Sequence, residues 1–471
     1  MNYNDDSKRM SNFFRHALVL LSFVLAFTIT GCEEEEVTIP GLYAFSDVTV
    51  VPMHTVVVLE NHTVVVRGDE IEAVGPSDQI EIPEGARVID GSGRYLMPGL
   101  AEMHGHIPGP DDPQYAEDML FLYISNGVTT VRNMSGHNYH LELTERIDNG
   151  DIPGPSVIAA TPWTSPDNIP GPEEAREAVH DFYEAGFDLI KIGNIRGDAY
   201  EALADEAHAV GIPFAGHIPE EIGLTGALEA RQASIDHLDR YVEFMAEEHP
   251  EYDDRDPGFF GSGVVDLIDE DRMEEAIGQT IEAGTWNIPT LSLVEHLASP
   301  QTPEEMINWP EMRYMPPGVR EHWVDAKHNF QNRDDFQPEA AQRLVEVRRD
   351  LLLMMHEHEA PIALGSDAPQ FFNVPGFSIH HEMAMMVEAG LTPYEVLVTG
   401  TRNPAGYLNT PDAFGTIEDG RRADLILLEA NPLTDIGNVR EPAGVMVRGE
   451  WWPEERIQTH LDEIAARYEQ D

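Results

Sequence analysis

The stretch GLAEMHGHIP, residues 99–108, places two histidines at the end of an apolar run that begins near Tyr95. A short apolar run bounded by glycine and proline predicts a buried strand. Residues two apart on a strand point to the same face, about 7 Å apart along it, so His104 and His106 can face one pocket. In a chain with 20 histidines, this pair alone does not distinguish a metal site from a polar strand end.

Seven further apolar runs follow this stretch and alternate with helical patterns. They are GVTTVRNM (127–134), PSVIAAT (155–161), FDLIKIGN (187–194), IPFAGHIP (212–219), ASIDHLD (233–239), WNIPTLSL (286–293) and PIALGSD (361–367). Repeated strand and helix order indicates a parallel sheet with crossover helices. Eight strands over residues 98–408 favour an α/β fold of the (β/α)8 TIM barrel type, whose active site lies at the C-terminal ends of the strands.

The segments on either side of this region have β character. Short β-branched runs between turn signals fill residues 42–97, and similar runs return after Pro411. We expect residues 42–97 and 413–453 to pair as one small composite β-sandwich domain. The barrel then spans 98–412 and a C-terminal helix spans 454–471.

The N-terminus has the pattern of an export signal. Basic residues precede an apolar run at 17–30, which is short for a membrane span and typical of a signal-peptide core. The run ends in ITGC, which resembles the bacterial lipobox and implies that Cys32 is lipidated. We therefore expect a lipoprotein signal peptide at 1–32, an acidic tether at 33–41 and an exported protein that is lipid-anchored in the bacterial cell envelope. The alternative is an uncleaved N-terminal anchor.

The charge balance excludes several partners. Lys and Arg number 29 and Asp and Glu 85, so the formal net charge is −56. Such a surface repels nucleic acid and anionic membranes, which leaves the lipid anchor as the expected membrane contact. The carboxylates are spread along the whole chain, as on the acidic surfaces of salt-adapted proteins. Cys32 is the one cysteine, which excludes internal disulfides and thiolate chemistry in the exported domain.

Four later strands carry residues suited to metal binding. Lys191 lies inside an apolar run, where a buried ammonium tends to lose its proton. A neutral amine can react with carbon dioxide to give a carbamate, an anionic bridging ligand; the alternative is a lysine paired with a buried carboxylate. His217, His237 and Asp367 each close a further predicted strand. Singly, each is more often a hydrogen-bonded barrel residue, but the combination has low odds of arising by chance.

With this combination the chain resembles the metal-dependent amidohydrolase superfamily, in its imidazolonepropionase-like and Xaa-Pro dipeptidase-like (prolidase-type) branch. The resemblance covers about residues 42–452. Its motifs are YLMPGLAEMHGHI (95–107) and NPAGYLNTPDAFGTIEDGRRADLILLEANPLTDI (403–436). Two departures are Glu102, where the family often has Asp, and Ser366, where Thr is frequent.

The resemblance implies a centre of two divalent metal ions, usually zinc. Its ligands would be His104, His106 and Asp367 for the first ion, His217 and His237 for the second, and carboxylated Lys191 as the bridge. Six protein ligands exceed what one zinc ion needs, which independently favours two ions. In the implied mechanism, one metal polarises the scissile carbonyl, a bridging hydroxide attacks it, and Asp367 transfers the proton to the departing amine.

Substrate contacts are expected at two further places. Arg132, His137 and Tyr139 follow the second strand, where a cation could hold the carboxylate of a peptide or acyl amino acid. Arg132 could equally be an internal salt-bridge partner. Tyr241, shortly after His237, could donate a hydrogen bond to the tetrahedral oxyanion, or pack at the rim.

A second His-x-His pair, His356 and His358, is a different case. It lies in a helical pattern, where residues two apart diverge by about 200°, so one ion could not easily take both.

These observations predict a hydrolase that cleaves an amide or peptide bond in a small molecule, a dipeptide or an N-acyl amino acid. One alternative is a mononuclear relative that acts on a cyclic amide or as a deaminase, with Lys191 only structural. Another is a catalytically inactive surface binding lipoprotein that keeps the barrel as a platform. The sequence leaves a homo-oligomer open.

Overall fold

The computed structural model describes residues 38–334 and 336–469. The predicted signal peptide, Cys32 and residues 33–37 of the predicted tether lie outside this part. Within the described ranges, no helix combines the length and the apolar character that a membrane crossing requires.

The N-terminal segment forms five strands. They are β1 (Leu42–Val50), β2 (Leu59–Arg67), β3 (Glu70–Pro76), β4 (Arg87–Asp90) and β5 (Tyr95–Pro98). β1 pairs antiparallel with β2 and parallel with β4 and β5. β-branched residues such as Val48, Val64 and Val66 are buried in this region, as their preference for pleated, half-buried surfaces predicts.

Parallel strands follow in the middle of the chain. They are β6 (Leu100–Gly105), β7 (Val128–Asn133), β8 (Ser156–Ala159), β9 (Ile190–Ile192), β10 (Phe214–Gly216), β11 (Ser234–Asp236) and β12 (Trp286–Ile288). They form two sheets, β6-β7-β8 and β9-β10-β11-β12. β6, β7, β9, β10 and β11 are buried at every residue, as expected for parallel strands covered on both faces.

Isolated parallel bridges connect these sheets to each other and to residues 361–368. The bridges are Ala160 with Leu189, Asn287 with Ile362, and Gly105 with Ala368. The arrangement is a TIM-barrel-like α/β fold. The segment 361–368, predicted as a regular eighth strand, makes only such bridges, and its backbone turns to a φ of 61° at Asp367. Gly365 is required here, because a Cβ atom would lie 2.9 Å from the backbone nitrogen of His104.

Helices connect and surround the strands. They are α1 (Pro113–Ser125), α2 (Asn138–Asp148), α3 (Pro172–Ala185), α4 (Gly197–Val210), α5 (Gly223–Glu229), α6 (Tyr241–Ala246), α7 (Asp271–Ala283), α8 (Leu291–Ala298), α9 (Pro303–Met306), α10 (Pro317–Gln331), α11 (Pro338–Glu357), α12 (Phe377–Glu388), α13 (Pro393–Gly400), α14 (Arg402–Tyr407) and α15 (Glu454–Glu469). His356 lies in the last turn of α11 and His358 directly follows it, so the helical interpretation of this pair is confirmed.

Helix α11 illustrates how sequence spacing sets burial. Its buried positions recur every one to three residues: Ala341, Leu344, Val345, Val347, Arg348, Leu351, Leu352 and Met355. This spacing places them on one face of a helix. Arg348 is the charged member of that face, so its guanidinium enters the interior of the protein.

The C-terminal strands complete a mixed sheet with the N-terminal ones. They are β13 (Leu425–Leu428), β14 (Pro442–Val447) and β15 (Glu450–Pro453). The strand order is β15-β14-β13-β5-β1-β2-β3, with β4 paired to β1. β13 lies antiparallel to β5, with Leu427 opposite Leu96, which confirms that the two terminal segments pair. Their assignment to a separate β-sandwich domain stays a prediction.

Candidate metal centre

The predicted ligands all lie at C-terminal ends of parallel segments. Their positions are His104 on β6, His106 just after it, Lys191 on β9, His217 after β10, His237 after β11, and Asp367 at the end of 361–368. The C-terminal ends of parallel barrel strands meet on one side of the fold. The sequence spacing therefore brings these side chains toward one place.

His104, His106 and Asp367 form a compact cluster. Their ligand atoms all lie within 4.8 Å of one another. Oδ1 of Asp367 is 3.5 Å from Nε2 of His104 and 3.3 Å from Nε2 of His106. This oxygen is buried and has no hydrogen-bond partner. An unsatisfied buried acceptor costs about 1–3 kcal/mol, so an unpartnered oxygen facing two imidazole nitrogens fits a divalent cation.

The amine of Lys191 joins this cluster. Its Nζ lies 3.4 Å from Nε2 of His104, and the side chain is 1% exposed. Within the described part of the chain, Lys191 makes no ion pair with a carboxylate at 4.0 Å or less. Burial lowers the pKa of this lysine, which favours the neutral amine.

His217 and His237 lie next to this cluster. Their ring centroids are 4.7 Å apart, and the ring of His237 is 4.5 Å from that of His104. Nδ1 of His237 lies 3.7 Å from Oδ2 of Asp367. The structure thus brings together all six side chains that the sequence singled out.

Three imidazoles are oriented by partners that the sequence analysis missed. Nδ1 of His104 lies 2.7 Å from Oδ2 of Asp236, Nδ1 of His217 lies 2.7 Å from Oδ2 of Asp239, and Nδ1 of His237 lies 2.8 Å from Oγ1 of Thr290. An acceptor on Nδ1 fixes the tautomer and leaves the Nε2 lone pair free for a metal. The sequence run DHLD, residues 236–239, carries both carboxylates, and it could have indicated that they lie near the histidines.

Burial sets the protonation of the cluster. It lowers the pKa of His106 to about 3 and moves the pKa of His104 well below its usual range. It raises the pKa of Asp367 well above its usual range. Neutral imidazoles with free lone pairs are the form that binds metal ions.

The hydrogen bonds of Glu102 account for one departure from the family pattern, the glutamate that stands where Asp is common. Its Oε1 accepts the backbone N–H groups of His104 at 3.0 Å and Ser366 at 2.8 Å, and its Oε2 accepts the Ser366 hydroxyl at 2.5 Å. Burial raises the pKa of Glu102 to about 7. The carboxyl group therefore connects β6 to the segment that carries Asp367, and it does not point to the ligand cluster.

The substrate role predicted for Arg132 is wrong. The side chain is fully buried and donates to both Asp236 oxygens at 3.0 Å. It also donates to the Met103 carbonyl at 2.5 Å, the Ser234 hydroxyl at 2.8 Å and the Tyr407 hydroxyl at 2.7 Å. Arg132 is instead an internal salt-bridge partner, as the alternative expected, because its donors are occupied by buried groups.

The catalytic role predicted for Tyr241 is also wrong. This residue begins α6 and is completely buried. Its hydroxyl lies 2.7 Å from Oγ1 of Thr280 and donates to Oδ1 of Asn287 at 3.0 Å. With no exposed surface and both contacts inside the core, the hydroxyl is not available to an oxyanion.

His137 and Tyr139 lie at the start of α2. Nδ1 of His137, an exposed residue, accepts the backbone N–H of Tyr139 at 3.0 Å and caps the helix. The Tyr139 hydroxyl is buried without a hydrogen-bond partner. Neither belongs to the ligand cluster, and their contact with substrate stays a prediction.

A cavity of about 1000 Å³ adjoins His217. Its apolar and aromatic lining comprises Trp163, Pro166, Ile195, Ile218, Pro219, Phe259 and Phe260, and its charged lining comprises Arg196, Glu220, Glu221, Asp239, Arg240 and Glu243. The ring of Trp163 is 5.1 Å from that of His217, and the ring of Phe260 is 5.7 Å from that of His237. His217 therefore borders a pocket of the size that holds small organic molecules.

Comparison with known proteins agrees with this geometry. The amidohydrolase family model matches residues 95–452. Imidazolonepropionase of Photorhabdus laumondii is 24% identical over 80% of this chain and 86% of that relative. Adenine deaminase of Rubrobacter xylanophilus is 29% identical over 36% of this chain, and the match spans only 29% of that relative.

A solved structure extends the likeness over nearly the whole chain. A provisionally assigned prolidase from Bifidobacterium longum is 26% identical, with a TM-score of 0.65 over 90% of this chain and 98% of that one. The chain therefore belongs to the amidohydrolase family, in its prolidase-like branch, and is a hydrolytic enzyme that acts on carbon–nitrogen bonds.

Proposed function

We propose that this protein is a binuclear metal-dependent amidohydrolase that cleaves the amide or peptide bond of a dipeptide or an N-acyl amino acid. The observation that carries the proposal is the cluster of His104, His106 and Asp367 around the unpartnered Oδ1 of Asp367, with Lys191, His237 and His217 adjoining it. Six such groups exceed the needs of a single zinc ion.

The residues divide into two sets. His104, His106 and Asp367 would hold one ion, His217 and His237 the other, and Lys191 would bridge them as a carbamate. Carbamate formation joins the neutral Nζ to carbon dioxide and releases one proton, and the lowered pKa of Lys191 supplies that neutral amine. The result is an anion in place of a buried ammonium, which suits a site that concentrates positive charge.

When bound, divalent metals polarise a carbonyl and lower the pKa of a water molecule. The side chains of this protein supply the rest. Asp367 accepts the proton of the attacking water and delivers it to the departing amine. The walls of the cavity, Trp163 and Phe260 in particular, hold the apolar part of the substrate next to His217 and His237. Zinc is the metal we expect for this set of nitrogen and oxygen ligands.

A second candidate is a mononuclear enzyme that opens a cyclic amide or deaminates a base. It is favoured by the similarity to imidazolonepropionase and adenine deaminase. In this case Lys191 would be an unmodified structural residue, and one ion per chain would suffice.

Metal content and a substrate screen separate the candidates. We expect two ions per chain, together with hydrolysis of dipeptides or N-acyl amino acids. The variant Lys191→Met should lose the second ion and most of the activity. Lys327→Met is the matched control, because Lys327 is equally buried but bonds to the Gln301 carbonyl at 2.7 Å.

Other results would support the alternatives. One ion per chain in the wild type, with Lys191→Met as active as the wild type, would establish the mononuclear candidate. Two ions with no turnover of any amide would favour a binding lipoprotein.

We further infer that the protein is exported and lipid-anchored through Cys32, and that its acidic surface is an adaptation to high salt concentration. The parallel segments would close a complete (β/α)8 barrel, with the mixed terminal sheet as a composite domain. Incorporation of labelled palmitate that is lost in Cys32→Ser would test the anchor.

A further inference from the structure

The guanidinium of Arg348 lies directly behind His237, one of the proposed ligands of the second ion. This side chain is 2% exposed. Its Nη1 donates to the carbonyl of His237 at 2.5 Å, and its Nη2 donates to the carbonyl of Pro289 at 2.8 Å. In the part of the chain that the structure describes, Arg348 has no carboxylate within ion-pair distance. A buried cation whose partners are two backbone carbonyls is costly, so its placement calls for an explanation.

The two carbonyls belong to turns with strained backbones. His237 has a φ of 62°, and Thr290, which follows Pro289, has a φ of 44°. For residues with a side chain, this left-handed conformation costs about 1–3 kcal/mol and persists only where the surroundings enforce it. Arg348 holds one carbonyl in each turn and thereby links the end of β11 to the end of β12.

The same two turns determine where the His237 imidazole points. Its Nδ1 lies 2.8 Å from Oγ1 of Thr290, so the side chains of the two turns are joined as well as their carbonyls. The guanidinium also faces the ring of Phe260 at 5.6 Å, and that ring lies 5.7 Å from the His237 imidazole. Arg348 thus contacts both turns and the Phe260 ring that lies beside His237.

The planar fork of arginine suits this geometry. It presents parallel N–H groups at a fixed separation, whereas a lysine ammonium is a single point that does not reproduce the fork. Burial lowers the pKa of Arg348 to about 10, which leaves it charged at neutral pH.

We propose that Arg348 is a positioning residue that sets the affinity of the ion held by His217 and His237, by fixing the two turns that orient the His237 imidazole. This inference rests on the proposed binuclear function. The ion held by His104, His106 and Asp367 does not depend on this clamp, because those residues are carried by β6 and the segment 361–368. Loss of a group that orients a metal ligand typically lowers metal affinity about 10- to 100-fold.

The test compares Arg348→Met with Arg349→Met. Arg349 is the next residue of α11, but it bonds to the half-buried Glu295 and the exposed Glu388. Metal-free proteins are titrated with Zn²⁺ against a chelating dye, and with Co²⁺ while its visible absorption is recorded. We expect Arg348→Met to bind the first ion as the wild type does and the second about 10- to 100-fold more weakly. Arg349→Met should retain both affinities.

Arg348→Lys keeps the inference testable if the methionine variant does not fold. It retains the charge but not the fork, so its affinity for the second ion should fall between those of the wild type and Arg348→Met. Wild-type affinity for both ions in a folded Arg348→Lys or Arg348→Met protein overturns the inference and leaves the proposed function standing. An equal loss of both ions also overturns it, since a general destabilisation would explain that result. A wild type that binds one ion overturns both.

Discussion

Nδ1 of His104 lies 2.7 Å from Oδ2 of Asp236, and both side chains are buried. Asp236 also receives two hydrogen bonds from Arg132. Burial acts to raise the pKa of Asp236, but the attraction of Arg132 is the largest of the effects that oppose it, and the pKa lies below its usual value. An ionised Asp236 therefore holds His104 in the tautomer that presents Nε2 to a metal.

Replacement of Asp236 by Asn should weaken both metal binding and the fold. The amide cannot keep both acceptor contacts, so metal affinity should fall about 10- to 100-fold. Arg132 would lose its buried counter-charge, which typically costs about 3–5 kcal/mol of unfolding free energy. Metal titration and urea denaturation of the metal-free protein measure the two effects. Asp198→Asn, in an exposed pair with Arg196, is the control and should change neither.

Tyr241→Phe should leave catalysis intact and reduce stability. The hydroxyl bonds to Thr280 and Asn287 in the core, so its removal should cost about 1–3 kcal/mol of unfolding free energy. An oxyanion donor, by contrast, would contribute about 100- to 1000-fold to kcat. Steady-state kinetics on any hydrolysed amide decides between these roles. A 100-fold loss in kcat with unchanged stability would restore the catalytic interpretation.

The convergence of the six side chains could be predicted from the sequence, but the contacts of the surrounding polar residues could not. His104, Lys191 and His217 are signalled by their positions at the ends of apolar runs, because strand direction and barrel topology then fix where they meet. Arg132 also lies near the end of an apolar run, yet it does not join the metal ligands. Whether its side chain turns inward to Asp236 or outward to solvent depends on residues about 100 positions away, and strand alternation alone does not reveal this.

The buried polar contacts of the surrounding helices could not be predicted from the sequence either. Arg348 and Glu382 lie within amphipathic helical patterns, where a single charged residue usually faces solvent. Their buried contacts with the turns after β11 and β12 appear only once α11 and α12 pack against those turns. The segment 361–368 was predicted as a regular strand. Its backbone instead turns at Asp367, where the carboxylate must reach two histidines on β6 and just after it.

Removal of metal should lower the stability of the protein measurably. A ligand at a free concentration 1,000-fold above its Kd stabilises the folded state by about 4 kcal/mol. We expect the chelated protein to unfold at correspondingly lower urea. His106→Ala should abolish most of this metal effect, because it removes one of the three proposed ligands of the first ion. His358→Ala, an exposed histidine after α11, should retain it. Equal metal stabilisation in both variants would contradict the assigned site.

Glu382 of α12 should make the metal-free protein less stable as the pH rises. Its two oxygens accept the backbone N–H groups of Leu291 and Ser292 at 2.8 Å, and burial raises its pKa to about 7. A carboxyl group whose folded-state pKa exceeds the unfolded value of 4.5 favours the protonated form in the folded protein. Its stabilising contribution is therefore complete below pH 4.5 and is lost as the pH rises through about 7.

The difference between wild type and Glu382→Gln isolates this contribution. Glutamine does not titrate, so the unfolding free energy of the variant should fall less steeply between pH 5 and pH 8. Between pH 5 and pH 8, the unfolding free energy of the wild type should fall by up to about 3 kcal/mol more than that of the variant, which is the energy that corresponds to such a pKa shift. Urea denaturation of the metal-free proteins at several pH values gives both curves. Glu388→Gln, on an exposed side chain of the same helix, should follow the wild-type curve. Parallel curves for wild type and Glu382→Gln would show that Glu382 stays ionised, held by the two N–H groups at the start of α8.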